Sequence, residues 1–158
     1  MEKIITTEAA MEALGACVAT ACADRGGLIY LQGELGAGKT TLVRGLLHGL
    51  GHQGPVKSPT FTLVEPYELG TRRVYHFDLY RVNDADELEA IGVRDYFTTD
   101  SLCLIEWPAR GAGLLPQADL KIEIRYAEVG RHVKFQAATA SGGQMLARLM
   151  GKNQETWG

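Results

Sequence analysis

A chain of 158 residues with 46% hydrophobic and 22% charged side chains buries one core without help from disulfides. Its net charge of −3 argues against a protein that holds a polyanion unaided, since such proteins carry a basic excess. Cys17, Cys22 and Cys103 lack zinc-type spacing, no signal pattern opens the chain and no apolar run reaches the roughly 20 residues of a membrane helix, so a cytoplasmic protein off the membrane is expected.

Thr6 or Thr7 with Glu8 predicts a helix start, because a hydroxyl accepts the free N–H groups of the first turn. Met11, Leu14 and Val18 then repeat on one face, and Cys17 and Cys22 read as small buried apolar residues. Asp24 to Gly27 breaks that helix. Leu28 to Leu31 is a fully apolar run, the pattern of a strand buried on both faces. A glycine-rich loop follows, and then a helix striped by Leu42, Val43, Leu46, Leu47 and Leu50, closed by Gly49 and Gly51.

Residues 54–60 read as a loop punctuated by Pro55 and Pro59. Strands are predicted at Phe61–Glu65 and Arg73–Tyr80, joined through a turn at Gly70 as a hairpin, so the sheet is expected to be mixed and mostly parallel. Asp84–Ile91 predicts a helix with an acidic first turn. Ser101–Ile105 is a further buried strand, and the alternations at Leu120–Tyr126 and Val133–Phe135 give two more. A short helix is expected at Gln144–Met150 and a frayed end over 152–158. No linker divides the chain, so 1–158 reads as one α/β domain of P-loop type, its end from about residue 139 poorly marked.

The strongest signal is Gly33-Glu34-Leu35-Gly36-Ala37-Gly38-Lys39-Thr40 between an apolar strand and an apolar-striped helix. Glycines let the backbone turn several N–H groups toward phosphate oxygens at the positive end of the helix. The expected contacts run from Gly33, Leu35, Gly36, Ala37 and Gly38 to Lys39 on the β and γ phosphates and Thr40 on magnesium. Thr41 is either a second phosphate contact or a plain helix residue.

A P-loop ATPase also needs a carboxylate at the end of a neighbouring strand. Asp78 and Glu106 each close an apolar run, and spacing does not say which one meets magnesium. Ser58 and Thr60 lie where many such proteins carry a mobile switch, or in an ordinary turn. Trp107 reads equally as a partner contact, a base-stacking ring or core. His76 reads as a structural histidine rather than a catalytic one. Arg72, Arg73 and Arg81 read as a solvated basic face.

Five blocks then resemble the TsaE family (also called YjeE): residues 33–41, Val56-Lys57-Ser58-Pro59-Thr60-Phe61-Thr62-Leu63-Val64, Tyr75-His76-Phe77-Asp78-Leu79-Tyr80-Arg81, Ile91-Gly92-Val93-Arg94-Asp95-Tyr96-Phe97 and Leu104-Ile105-Glu106-Trp107-Pro108. They stand in family order over most of the chain. The resemblance implies a weak magnesium-dependent ATPase of bacterial tRNA threonylcarbamoyladenosine formation. It would reset a complex of TsaB and TsaD that modifies adenosine 37 of tRNAs reading codons that begin with A, meeting tRNA only through those partners. It also implies Thr40 and Glu106 as magnesium ligands, Asp78 as an essential acid near the γ-phosphate, Ser58 and Thr60 as switch residues and Trp107 at a partner-facing rim. The N-terminal threonines and Arg131 would border the adenine. The alternative is a small kinase of a metabolite or nucleoside, with Asp78 as its base. A GTPase is disfavoured, since no Asn-Lys-x-Asp segment reads guanine.

Overall fold

In a computed structural model, residues 1–23 and 25–156 are described, the side chains of 152–156 excepted. Seven strands form one sheet: β1 (Glu2–Ile5), β2 (Gly27–Gln32), β3 (Val64–Leu69), β4 (Arg72–Asp78), β5 (Ser101–Glu106), β6 (Leu120–Tyr126) and β7 (Arg131–Ala137). Their order is β1-β7-β6-β2-β5-β4-β3. The four central strands, β6, β2, β5 and β4, run parallel. Antiparallel pairs close both edges. All six residues of β5 are buried, as a strand covered on both faces requires.

Alternation along the strands splits the core into two layers. Ile29, Leu31, Leu102 and Leu104 face the helices α1 (Glu8–Cys22), α2 (Lys39–Gly49) and α4 (Ala140–Thr156). Leu28, Cys103 and Ile105 face the other way, toward Leu79, Leu88 in α3 (Ala85–Ala90) and Val93. Thr7 caps α1 as its hydroxyl accepts from Ala10 N at 3.0 Å. Asp84 and Glu87 form a reciprocal capping box at α3.

The expected strand at Phe61–Glu65 begins three residues late. Pro59 O accepts from Leu63 N in a turn, Leu63 adopts φ 69°, and Phe61 is 81% exposed. The register explains why. Val64 already pairs with Phe77 one residue from the end of β4, so Phe61 has no strand to lie against. β4 likewise stops at Asp78 rather than Tyr80.

α4 starts at Ala140, not Gln144, and runs to Thr156 through much of the expected frayed end; Trp157 and Gly158 lie outside the described residues. Met145 and Leu149 anchor it in the core, and Thr139 Oγ1 accepts from Gly142 N at 3.1 Å. The basic face also dissolves. Arg72 donates to the carbonyls of Ala23 and Arg25 at one end of β4, whereas Arg81 stacks on Phe61 beyond the other. Cys22 and Cys103 are buried as expected of apolar cysteines, and Cys17 is half-buried.

β1 had no sequence signal. It pairs with β7 from Glu2↔Lys134 to Ile5↔Arg131, which brings Thr6 beside the β6–β7 turn. Gly130 (φ 74°) in that turn lies so close to β1 that a Cβ there would sit 2.2 Å from Ile5 O.

Candidate functional site

The loop after β2 wraps the start of α2. Gly36 (φ 78°) and Gly38 (φ 116°) take left-handed conformations that a side chain would strain. Gly38 is the N-cap of α2 and offers no side-chain acceptor, and the first turn carries no acidic residue. α1, α3 and α4 each begin with a side chain satisfying an N–H. The positive end of α2 is therefore open to an anion.

The loop carbonyls of residues 33–37 are each held by a side-chain donor. Lys39 Nζ donates to Gly33 O and, at 2.9 Å, to Glu34 O. Tyr126 Oη donates to Leu35 O at 2.7 Å. Arg131 donates from Nε to Ala37 O at 3.0 Å and from Nη2 to Gly36 O at 3.4 Å, with its guanidinium 4.3 Å from the Tyr126 ring centroid. Arg131 thus touches the loop backbone itself. Tyr126, which the sequence marked only as a strand residue, is part of the same clamp.

Asp78 and Glu106, the last residues of β4 and β5, face each other as register partners at the carboxyl edge of the sheet. Both are buried, at 4% and 3% exposure. The Thr40 hydroxyl donates to Glu106, 3.1 Å to Oε2 and 3.3 Å to Oε1. Ser58 and Thr60 both donate to Asp78 Oδ2, Thr60 at 3.1 Å, and Asp78 Oδ1 accepts from Tyr80 N at 3.0 Å. The segment from 58 to 60 is thereby tied to the carboxylate edge. His76 is fully buried, with Nε2 2.6 Å from Glu106 Oε2.

Lys39 Nζ also lies 4.4 Å from the centroid of Trp107, whose backbone takes φ 59° and whose ring packs 5.0 Å from Tyr80. Trp107 is thus half-buried beside the loop. Burial pushes the Lys39 ammonium below the ordinary lysine range, while Glu106, Asp78 and Glu34 pull it back up. Thr41 accepts from Arg44 and lines a cavity of about 360 Å³ together with Thr6, Thr7, Gly130 and Arg131.

Two buried carboxylates against one buried lysine leave a site short of positive charge. Its donors toward a metal are a hydroxyl and carboxylates, and no group of three or more His, Cys, Asp or Glu that could hold a metal exists among the described residues. That set fits magnesium, which takes one or two carboxylates and completes its shell with phosphates and water.

An apolar parallel strand, a glycine loop with lysine, an uncapped helix start and two strand-end carboxylates define a protein of the P-loop fold. The profile of the family described as "Threonylcarbamoyl adenosine biosynthesis protein TsaE" matches residues 5–133. The chain belongs to the TsaE family. It is 54% identical over 120 residues to a TsaE of Haemophilus influenzae, covering 76% of each chain. It is 42% identical over 118 residues to one of Bacillus subtilis, covering 74% of this chain and 73% of the relative. The crystal structure of Bacillus subtilis YdiB superposes with a TM-score of 0.78 at 28% identity, over 97% of this chain and 95% of the other.

Proposed function

We propose that this chain is a magnesium-dependent ATPase of tRNA threonylcarbamoyladenosine formation that resets a complex of TsaB and TsaD. The observation that carries the ATPase reading is the uncapped start of α2 with Thr40, Glu106 and Asp78 gathered beside it. Lys39 exchanges the carbonyls of Gly33 and Glu34 for the β and γ phosphates. Thr40 and Glu106 hold magnesium, which neutralises charge developing on the phosphates. Asp78 orients water toward the γ-phosphate, and Ser58 and Thr60 report its presence because they already bond that carboxylate. The adenine occupies the cavity between Thr6, Thr7 and Arg131.

The partner reading rests on family membership and on the exposed crest of the 58–63 segment, where Phe61 and Arg81 stack outside the site. A change at Asp78 would alter what that crest presents. tRNA is met through the partners, in keeping with the net charge of −3.

ATP hydrolysis measured with and without magnesium, and with TsaB and TsaD added, tests the whole. Slow magnesium-dependent turnover and ATP-dependent association are expected. Lys39→Ala should weaken ATP binding roughly 10–100-fold, the equivalent of a lost charge-assisted bond. Asp78→Asn and Glu106→Gln should cut turnover by about 100-fold with smaller effects on binding. Normal turnover in both carboxylate variants refutes the magnesium site. Transfer of phosphate to a nucleoside or metabolite would make the protein a kinase.

A further inference from the structure

Glu106 is held from two sides. On one stands Thr40, inside the phosphate motif; on the other stands His76, whose Nε2 lies 2.6 Å from Oε2. His76 sits two residues before Asp78 on β4 and pairs in register with Leu104, two residues before Glu106 on β5. The two strands thus place the imidazole directly beneath the carboxylate. The ring is fully buried, and its other nitrogen, Nδ1, has no hydrogen-bond partner.

A histidine kept only for packing would carry a burial cost that an apolar side chain of similar size avoids, since buried polar atoms are nearly always bonded. Here one nitrogen is unbonded, and the single polar contact of the ring is the carboxylate. The tautomer with its proton on Nε2 satisfies Oε2 and leaves a bare lone pair at Nδ1, a smaller penalty than a buried orphan N–H. With Oε2 shared between His76 and Thr40, Oε1 is the less engaged oxygen, bonded to Thr40 alone at 3.3 Å.

We propose that His76 is a positioning residue for Glu106: its Nε2–H fixes one carboxylate oxygen and so orients the other toward the magnesium that accompanies the nucleotide. The inference rests on the reading of Glu106 as a magnesium ligand. Outer partners of metal ligands act in this way, and their loss typically weakens metal binding 10–100-fold. Glutamine is the conservative replacement, because its amide nitrogen reaches about as far as Nε2. Asparagine reaches only the Nδ1 position.

The test measures Mn²⁺ affinity of the full chain in the presence of ADP, by paramagnetic resonance, with ADP binding in EDTA measured beside it. His76→Leu is expected to weaken Mn²⁺ binding by roughly 10–100-fold. Its ADP affinity in EDTA should stay within about twofold of wild type, as Glu106 meets the nucleotide only through the metal. His76→Gln should recover most of the loss. Unchanged Mn²⁺ affinity in a folded His76→Leu protein overturns the proposal. Should that variant fail to fold, equal Mn²⁺ affinity in His76→Gln and His76→Asn overturns it instead, and a deficit confined to His76→Asn supports it. A wild type whose ADP complex takes up no Mn²⁺ strikes at the magnesium reading itself, whereas a wild type that binds Mn²⁺ normally beside indifferent His76 variants strikes only at this inference.

Discussion

Tyr126 and Arg131 do their work on a backbone they do not belong to. Each is bonded to the phosphate loop, Leu35 O by the phenol and Gly36 O and Ala37 O by the guanidinium. Those bonds restrain the loop backbone in the free protein, so part of the cost of ordering it is met before any ligand arrives. Tyr126→Phe removes one neutral hydrogen bond of about 1 kcal/mol. ADP affinity should fall roughly threefold to tenfold in titration calorimetry. Arg131→Ala removes two charge-assisted contacts to the loop and the stack on Tyr126, and should cost at least as much again. Tyr126 is 50% exposed, so the thermal midpoint of Tyr126→Phe should barely move. Unchanged ADP affinity in both variants would mean that the loop holds its own shape. Sequence marked Arg131 through resemblance but gave no sign of Tyr126, because a tyrosine ending an alternating strand looks like any strand residue. The partner of His76 was hidden for a related reason: Glu106 is 30 residues away and meets it only through strand pairing.

What sequence made legible among the elements was whatever depends on near neighbours. β2, the loop and α2 are contiguous, and each carries its own signal: an apolar run, glycines and a 3.6-residue stripe. Asp78 and Glu106 were readable as strand ends, though their adjacency follows from the β4–β5 pairing. β1 depends on β7, more than a hundred residues away, and the start of α4 is tied through Thr139 to Asp119, 20 residues back across β6 and β7, so the short segments there gave no pattern of their own. The α1–α2 contact was silent in the same way. Gly15 and Gly45 carry no periodic signal, yet they let the two helix backbones touch. A Cβ on Gly45 would sit 2.0 Å from Glu12 O, and one on Gly15 would sit 2.1 Å from Leu42 O. Gly45→Ala gains up to about 1 kcal/mol of helix propensity. Against it stands a clash with rigid backbone, and forced overpacking typically costs about 1–3 kcal/mol or more. The expected result is a net loss of at least about 1 kcal/mol in urea unfolding. A more stable Gly45→Ala protein would show that the two helices can move apart freely.

The sheet separates two apolar layers, and each holds one buried thiol: Cys22 among the helices α1, α2 and α4, and Cys103 on the opposite face with Phe77 and Ile105. Burial pushes the Cys22 thiol up to about 11, with Arg72 and Arg148 pulling slightly the other way. Burial alone pushes Cys103 up to about 12. Both start from 9.0, the ordinary value expected of the unfolded chain. Because the folded protein keeps these protons longer than the unfolded one, the stability they contribute is whole below pH 9. It declines as pH climbs from there through 11 and 12. Near pH 11 each thiol should account for about 2 kcal/mol of lost stability, by the worth of a pKa unit. Lysines and tyrosines also titrate in that range, so the thiol contribution is read by difference. Urea midpoints of wild type, Cys22→Ala and Cys103→Ala should be compared at pH 8 and pH 10.5. Each alanine variant loses some packing at both values. Its fall between them should nonetheless be shallower than that of wild type, by more than 1 kcal/mol. Parallel falls would mean that water reaches the thiols as the pH rises, and that neither layer stays closed.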